Sequence, residues 1–303
     1  MNKTDPPAAT PTNTTRLYAH SWSEFETWCA HAGLTARPAS GETLETYTAT
    51  LCAADYAPGT IGRAIAAIRA HHINTGHRPP DTHGARTILA THRLDRARRG
   101  RTPHHSKILS LAELHTILAT CDTDTLPGLR DAVILTLGTA LMAGPGLLGE
   151  LNLADITASR HGVSVRVRSS ARTVTVPHGR GPRTDPAALT LGWVDELADR
   201  GVLDGPLLRS CGRGGRLETS GRLGGNTLNL IVRRRAKTAE VDGWQQVTCH
   251  TLRATGASLA AAAGVPAATI AKHGHWAPAS PAVYEYIDAA NSWSRITMPD
   301  IGI

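Results

Sequence analysis

The sequence predicts a mainly α-helical protein of two domains, the second carrying a small antiparallel sheet, and three observations point that way. Alanine-rich windows place Leu and Ile at the spacing of one helix face, and aromatics are only 4% of the 303 residues, which leaves the core to aliphatic side chains. Val163, Val165 and Val167, then Val174 and Val176, alternate with the period of half-buried strands. A basic, proline-containing stretch from Gly100 to Ser110 separates two segments, each long enough to bury its own core.

Residues 1–14 are polar and rich in Pro and Thr, the composition of a disordered tail without an apolar signal core. A first helix is expected from about Arg16 to Ala32, where Leu17, Phe25, Trp28 and Ala32 share a face and Gly33 ends it. Ser40 can cap a second helix carrying Leu44, Tyr47 and Leu51. Pro58-Gly59-Thr60 opens a third, with Ile61, Ile65, Ile68 and His72 in register and Gly76 at its end. A fourth, from about Arg86 to Arg99, runs into a cluster of Arg93, Arg96, Arg98, Arg99 and Arg101. Residues 15–100 thus read as a four-helix unit with a basic exit, 101–110 as a linker and 111–303 as the second domain.

The second domain opens with a helix at Leu111, followed by a strongly apolar one from Gly128 to Met142. Asp155-Ile156 and the alternating valines form the sheet, and further helices are expected near residues 186–200, 223–240 and 250–263. Arg209 to Gly225 is glycine-rich and reads as a loop. It lacks the Gly-Lys-Ser/Thr ending of a phosphate-binding loop, so no nucleotide site is expected.

The net charge is +7 and the pI about 9.5. Such a surplus suits a polyanion, because each phosphate neutralised releases condensed counterions, and double-stranded DNA is the expected partner. The cations are nearly all Arg, whose planar fork can hold one phosphate through two donors; the lysines are Lys3, Lys107, Lys237 and Lys272. Five dispersed cysteines with no CxxC pair argue against a disulfide framework and against a cysteine zinc site. No stretch approaches the roughly 20 apolar residues needed to span a bilayer, so a cytoplasmic location and no membrane partner are expected. His250, His273 and His275 are not completed by a carboxylate or Cys at a recognised ligand spacing, so neither metal nor cofactor is expected, nor a small-molecule substrate.

The chemistry is concentrated in residues 249–286. His250-Thr251-Leu252-Arg253 is followed by Gly264-Val265, then His273-Gly274-His275-Trp276, then Tyr284-Glu285-Tyr286. Arg253 precedes His275 by 22 positions and Tyr284 follows nine after it. This segment resembles the C-terminal box of the tyrosine recombinases of the phage-integrase type, whose pattern is His-x-x-Arg, Gly-His, and a nucleophilic Tyr nine residues later. Upstream, Thr60-Ile61, Ala66-Ala67-Ile68-Arg69 and His71 resemble the third helix of that family's N-terminal core-binding domain. Gly128-Leu129-Arg130-Asp131 resembles the approach to the catalytic domain's second helix. The resemblance covers roughly residues 16–290.

The resemblance implies a SAM-like four-helix core-binding domain and an α+β catalytic domain, closing as a C-shaped clamp on duplex DNA. It implies attack by a Tyr hydroxyl on a DNA phosphate, giving a 3′-phosphotyrosine and a free 5′-hydroxyl without metal or nucleotide. Arginines and histidines would stabilise the charge on the non-bridging oxygens, and a hairpin Lys would protonate the leaving oxygen. Carried over residue by residue, Tyr284 matches the nucleophile, with Tyr286 a less well-spaced alternative. Arg253 matches the second catalytic arginine, and His250 and His275 the histidine pair. Arg63, Arg69, Arg93, Arg96, Arg98, Arg99 and Arg101 are the expected DNA contacts. Family members work as tetramers on paired sites, exchanging a C-terminal segment for which Asn291–Ile303 is the candidate; a related recombinase could also serve as partner.

Two parts of the pattern are missing. Ungapped spacing between Gly128–Gly138 and Leu151–Ile156 puts Gly144 where the first arginine belongs and Leu147 where a glutamate belongs; Ala143-Gly144-Pro145-Gly146 interrupts the helix, and no Arg lies between Arg130 and Arg160. In the hairpin, Arg166, Arg168 and Arg172 flank Ser169-Ser170, with Arg168 nearest the lysine position, and a guanidinium is a poor proton donor. A lost oxyanion donor costs roughly 100- to 1000-fold and a lost general acid about 100-fold or more. Together that is about 5 to 8 kcal/mol of transition-state stabilisation. The expectation is a DNA-binding protein whose autonomous recombination is severely impaired. It would be either an enzyme rescued by a neighbouring Arg or partner protomer, or a non-catalytic accessory or decayed relative.

Overall fold

A computed structural model describes residues 13–101, 107–212, 216–276 and 281–290 of the chain. Asn291–Ile303 and all but the end of the expected tail lie outside the described residues. Two compact units divide the chain, Met1–His104 and His105–Ile303.

The first unit is four helices: α1 (Asn13–Ala32), α2 (Gly41–Ala53), α3 (Pro58–Asn74) and α4 (His83–Arg98). Ser40 caps α2 by accepting from the Thr43 N–H at 3.1 Å, and Pro58 occupies the first turn of α3, where its missing N–H costs nothing. The faces carrying Phe25, Leu44, Tyr47, Ile61, Ile65 and Ile68 meet in one core. His72 is fully buried there: Nε2 accepts from the Ala39 N–H at 2.9 Å, and Nδ1 donates to Ile68 O at 2.8 Å.

The second unit begins earlier than expected. Residues 107–110 were assigned to the linker by composition, yet Leu109 is buried and its N–H donates to Thr255 Oγ1 at 3.0 Å. Ser110 closes a reciprocal capping box with Glu113 on α5 (Leu111–Ala119). The apolar α6 (Leu126–Ala140) runs through the core and ends at the interruption read from the sequence. Pro145 then starts a new short helix, α7 (Pro145–Glu150), with Gly144 as its cap residue.

The sheet is β1 (Ile156–Ser159), β2 (Gly162–Val167) and β3 (Arg172–Pro177), antiparallel in that order. Val163 pairs with Val176 and Val165 with Val174, so the valines share the buried face. After α8 (Pro186–Asp199), the glycine-rich stretch read as a loop contains strands. There β4 (Arg209–Cys211) pairs antiparallel with β5 (Leu217–Arg222), because strand pairing depends on the partner backbone more than on local propensity. Helices α9 (Gly225–Thr238), α10 (Cys249–Ala262), α11 (Ala267–His273) and α12 (Pro281–Ala290) complete the unit. Among the described residues, no helix is long and apolar enough to cross a membrane.

Two features set the packing around α6. Asp131 on α6 is fully buried and accepts from Arg130 at 2.6 and 2.9 Å, from Arg235 at 2.7 Å and from Arg234 at 3.2 Å, tying α9 to α6. Gly256 lets α10 cross α6 closely: a Cβ at that position would lie 2.3 Å from Thr139 O and 3.1 Å from Met142 Cγ.

Candidate active site

His250 and Arg253 lie one turn apart on α10 and therefore share a face. The close helix crossing carries that face to the end of α6. Arg253 Nη1 donates to Met142 O at 2.6 Å, and the Trp276 ring covers the guanidinium with its centroid 3.7 Å from Cζ. Burial pulls the Arg253 pKa down to about 10, opposed by nearby Tyr286, so the side chain stays cationic at neutral pH. His250 is exposed on the first turn of α10. Desolvation, reinforced by Arg253, lowers its pKa below the usual histidine range.

Gly144 lies against this pair, and a Cβ built on it would come within 3.3 Å of His250 Cε1. The position that spacing reserves for the first arginine is thus beside His250 and carries no side chain. Neighbouring Leu147 packs partly into the core.

His275 comes from the turn after α11, with the backbone at a positive φ of 58°. Its Nδ1 meets Ser170 Oγ at 3.1 Å, at the tip of the β2–β3 hairpin, where Ala171 adopts a left-handed φ of 51°. Its Nε2 is buried and has no hydrogen-bond partner among the described residues. Desolvation lowers the His275 pKa, with smaller contributions in the same direction from Arg253, His273 and Arg172, so the ring is neutral at neutral pH. His273 does not join the cluster's open face; it donates to Ala140 O at 2.7 Å and anchors α11 to α6.

The two tyrosines of α12 are two residues apart, hence on different faces. Tyr284 is 52% exposed and makes no hydrogen bond or ring contact among the described residues. Tyr286 is half-buried, packs on Trp276 with ring centroids 5.9 Å apart, and lies within electrostatic range of Arg253. Desolvation pushes its phenol pKa up and Arg253 pulls against that. Val283, with Met142, Ala257 and Ile270, anchors α12 to the helices around α10.

The hairpin cations are divided. Arg168, nearest the lysine position by sequence, gives its Nε to the buried Asp155 carboxylate at 2.9 Å, and Arg166 does the same at 3.2 Å. Arg172 is exposed, forms no ion pair among the described residues, and lies within electrostatic range of His275.

In the first unit, Arg69 and Arg93 line a 460 Å³ cleft together with Arg86 and Tyr18, which the sequence did not single out. Arg96 and Arg101 both pair with Asp55, and Arg98 with Asp95 at 3.3 Å, so these three guanidiniums are already engaged. Arg99 is exposed at the end of α4, and Arg63 is half-buried with its Nε unpartnered.

No family model matches the chain. A curated relative, an "Integrase/recombinase xerD homolog" of Selenomonas ruminantium, is 26% identical over 292 residues, covering 92% of this chain and 82% of that protein. Among solved structures, the Tn1549 transposon integrase in complex with transposon right end DNA aligns with a TM-score of 0.57 at 12% identity, covering 97% of this chain and 93% of that one. A lambda integrase dimer bound to a COC' core site gives 0.55 at 13% identity, with 96% and 94% covered. XerA recombinase gives 0.50 at 18% identity, with 93% and 91% covered.

Proposed function

We infer from the shared fold, and from a relative aligned along most of both chains, that this protein belongs to the tyrosine recombinase and integrase family. We propose that it binds double-stranded DNA and acts as a site-specific recombinase whose phosphotransfer centre lacks its first arginine. The observation that carries this reading is the meeting of Arg253 and the tyrosine-bearing helix α12 on Trp276, beside His275, with His250 one turn from Arg253. The chemistry is cytoplasmic if the substrate is chromosomal, and assembly of several copies on paired sites follows from the need to exchange strands between two duplexes.

A DNA phosphate entering this cluster meets Arg253 edge-on, since Trp276 covers one guanidinium face. We assign the nucleophile to Tyr286, which spacing ranks second and geometry ranks first. Its hydroxyl oxygen bonds to phosphorus, the bond to the 5′ oxygen breaks, and a 3′-phosphotyrosine forms. One proton leaves the phenol and one arrives on the 5′ oxygen, so no external reagent is consumed. The buried, unpartnered His275 Nε2 is placed to meet either the phosphate or the phenol proton, and its neutral state at pH 7 keeps both roles open. With no lysine in the hairpin, water supplies the leaving oxygen's proton, which slows the step.

Nicked suicide duplexes, recovered from a random pool by binding to the full chain and with the nick walked along one strand, test this. The expected result is a denaturant-resistant protein–DNA adduct that Tyr286→Phe abolishes and Tyr284→Phe preserves. Adduct lost only in Tyr284→Phe would overturn the assignment of Tyr286. Duplexes that bind without ever forming adduct would reduce the protein to a DNA-binding relative.

A further inference from the structure

Resting on the recombinase reading, we propose that Arg172 is a second phosphate-binding cation of this site, delivered by the β2–β3 hairpin in place of the arginine absent at Gly144. The hairpin tip is fastened to the site at a definite point, the 3.1 Å contact of Ser170 Oγ with His275 Nδ1. That contact fixes the ring and leaves the buried Nε2 without a hydrogen-bond partner among the described residues, as expected of an atom that meets a ligand. Arg172 begins β3 two residues beyond Ser170, after the left-handed Ala171 has reversed the chain.

The competing cations are accounted for. Arg168 and Arg166 are drawn to the Asp155 carboxylate, whose side chain is 0% exposed. Arg222, on β5, is spent on the carbonyls of Gly149 and Leu151 and on Asn152 Oδ1. Arg172 has no such engagement among the described residues, and its charge is one of those disfavouring protonation of His275. A guanidinium there would donate hydrogen bonds to a non-bridging phosphate oxygen and transfer no proton, which matches the work of the missing arginine rather than that of the missing lysine. Ser170 is then a positioning residue, acting through His275 and through the placement of Arg172.

The test compares strand cleavage by the full-length wild type, Arg172→Ala and Arg172→Lys on two nicked duplexes, one with an ordinary scissile phosphate and one with a methylphosphonate. The methylphosphonate carries no negative non-bridging oxygen and so needs no second cation. Arg172→Ala is expected to slow cleavage of the phosphate duplex by roughly 100-fold or more, with Arg172→Lys between it and wild type. On the methylphosphonate duplex the three proteins should cleave within about threefold of one another, a pattern that a merely structural role for Arg172 would not give. Equal losses on both duplexes, or none on either, overturn the proposal while leaving the recombinase reading intact. Duplex bound by wild type but never cut removes the recombinase reading, leaving a DNA-binding relative, and the proposal with it. Failure of wild type to bind any duplex sinks the recombinase reading itself, and the proposal with it.

Discussion

Gly256→Ala tests whether the catalytic face of α10 depends on its close crossing with α6. The new Cβ would lie 2.3 Å from Thr139 O, a backbone atom that cannot swing away, whereas ordinary contact needs at least about 3.4 Å. The helices must therefore part by about 1 Å. The Arg253–Met142 bond, now 2.6 Å, would lengthen to about 3.6 Å, beyond hydrogen-bonding range. Overpacking of this kind costs up to about 3 kcal/mol, and replacing a helical Gly with Ala returns about 1 kcal/mol. The net loss is about 2 kcal/mol, equivalent to a fall of roughly 4–8 °C in Tm for a unit of this size. An approximately 1 Å displacement of Arg253 also predicts about 100-fold slower adduct formation. Gly192→Ala on α8 is the matched control: nothing lies within 4 Å of its added Cβ, so it should stabilise by about 1 kcal/mol. Thermal unfolding followed by circular dichroism, with the adduct assay alongside, reads both. If Gly256→Ala melts at or above the wild-type temperature and cleaves at the wild-type rate, the crossing is not what positions Arg253.

Asp131→Ala should destabilise the second unit by about 3–5 kcal/mol, because it strands the buried Arg130 without a counter-charge; urea titration measures this, and a loss below about 1 kcal/mol would contradict it. A pH dependence follows from His71, His250 and His275, whose folded-state pKa values are all lowered, first by desolvation and then by neighbouring cations, from an ordinary value of 6.5. The unfolded chain therefore takes up protons that the folded one refuses, so their stabilisation is complete above about pH 6.5 and is lost as pH falls through the folded values. Tm should be lower at pH 5.5 than at pH 7.5, and equal or higher values at pH 5.5 would refute the argument. The lowered carboxyl pKa values of Glu113, Asp155 and Asp185 act in more acid solution, outside this window.

The helical frame was legible in the sequence because its signals are local: Ser40 and Pro58 mark starts, and aliphatic periodicity marks the buried faces. Gly144 could be located by counting, since helix and tight turn leave little freedom between Gly138 and Leu151. The remainder depended on contacts that no local pattern encodes. Arg168 looked the better-placed hairpin cation until the buried Asp155 was seen to hold it. The different settings of Tyr284 and Tyr286 depend on the rotation of α12 about its own axis, which spacing from His275 does not supply. The β4–β5 pairing was hidden because glycine-rich sequence reads as loop whenever its partner strand is unknown. Of the basic cluster after α4, composition could not say that Asp55 had already claimed Arg96 and Arg101.

The docking of α12 has a consequence for how several copies would share work. Val283 seats the helix among Met142, Ala257 and Ile270 of the same polypeptide, so Tyr286 and Arg253 arrive as one cis unit. Under the recombinase function proposed above, a strand would be cut by the very molecule that grips its phosphate. Neighbours would then act on such a site through timing, by whether α12 stays seated, and each subunit would bring its own tyrosine and arginine together.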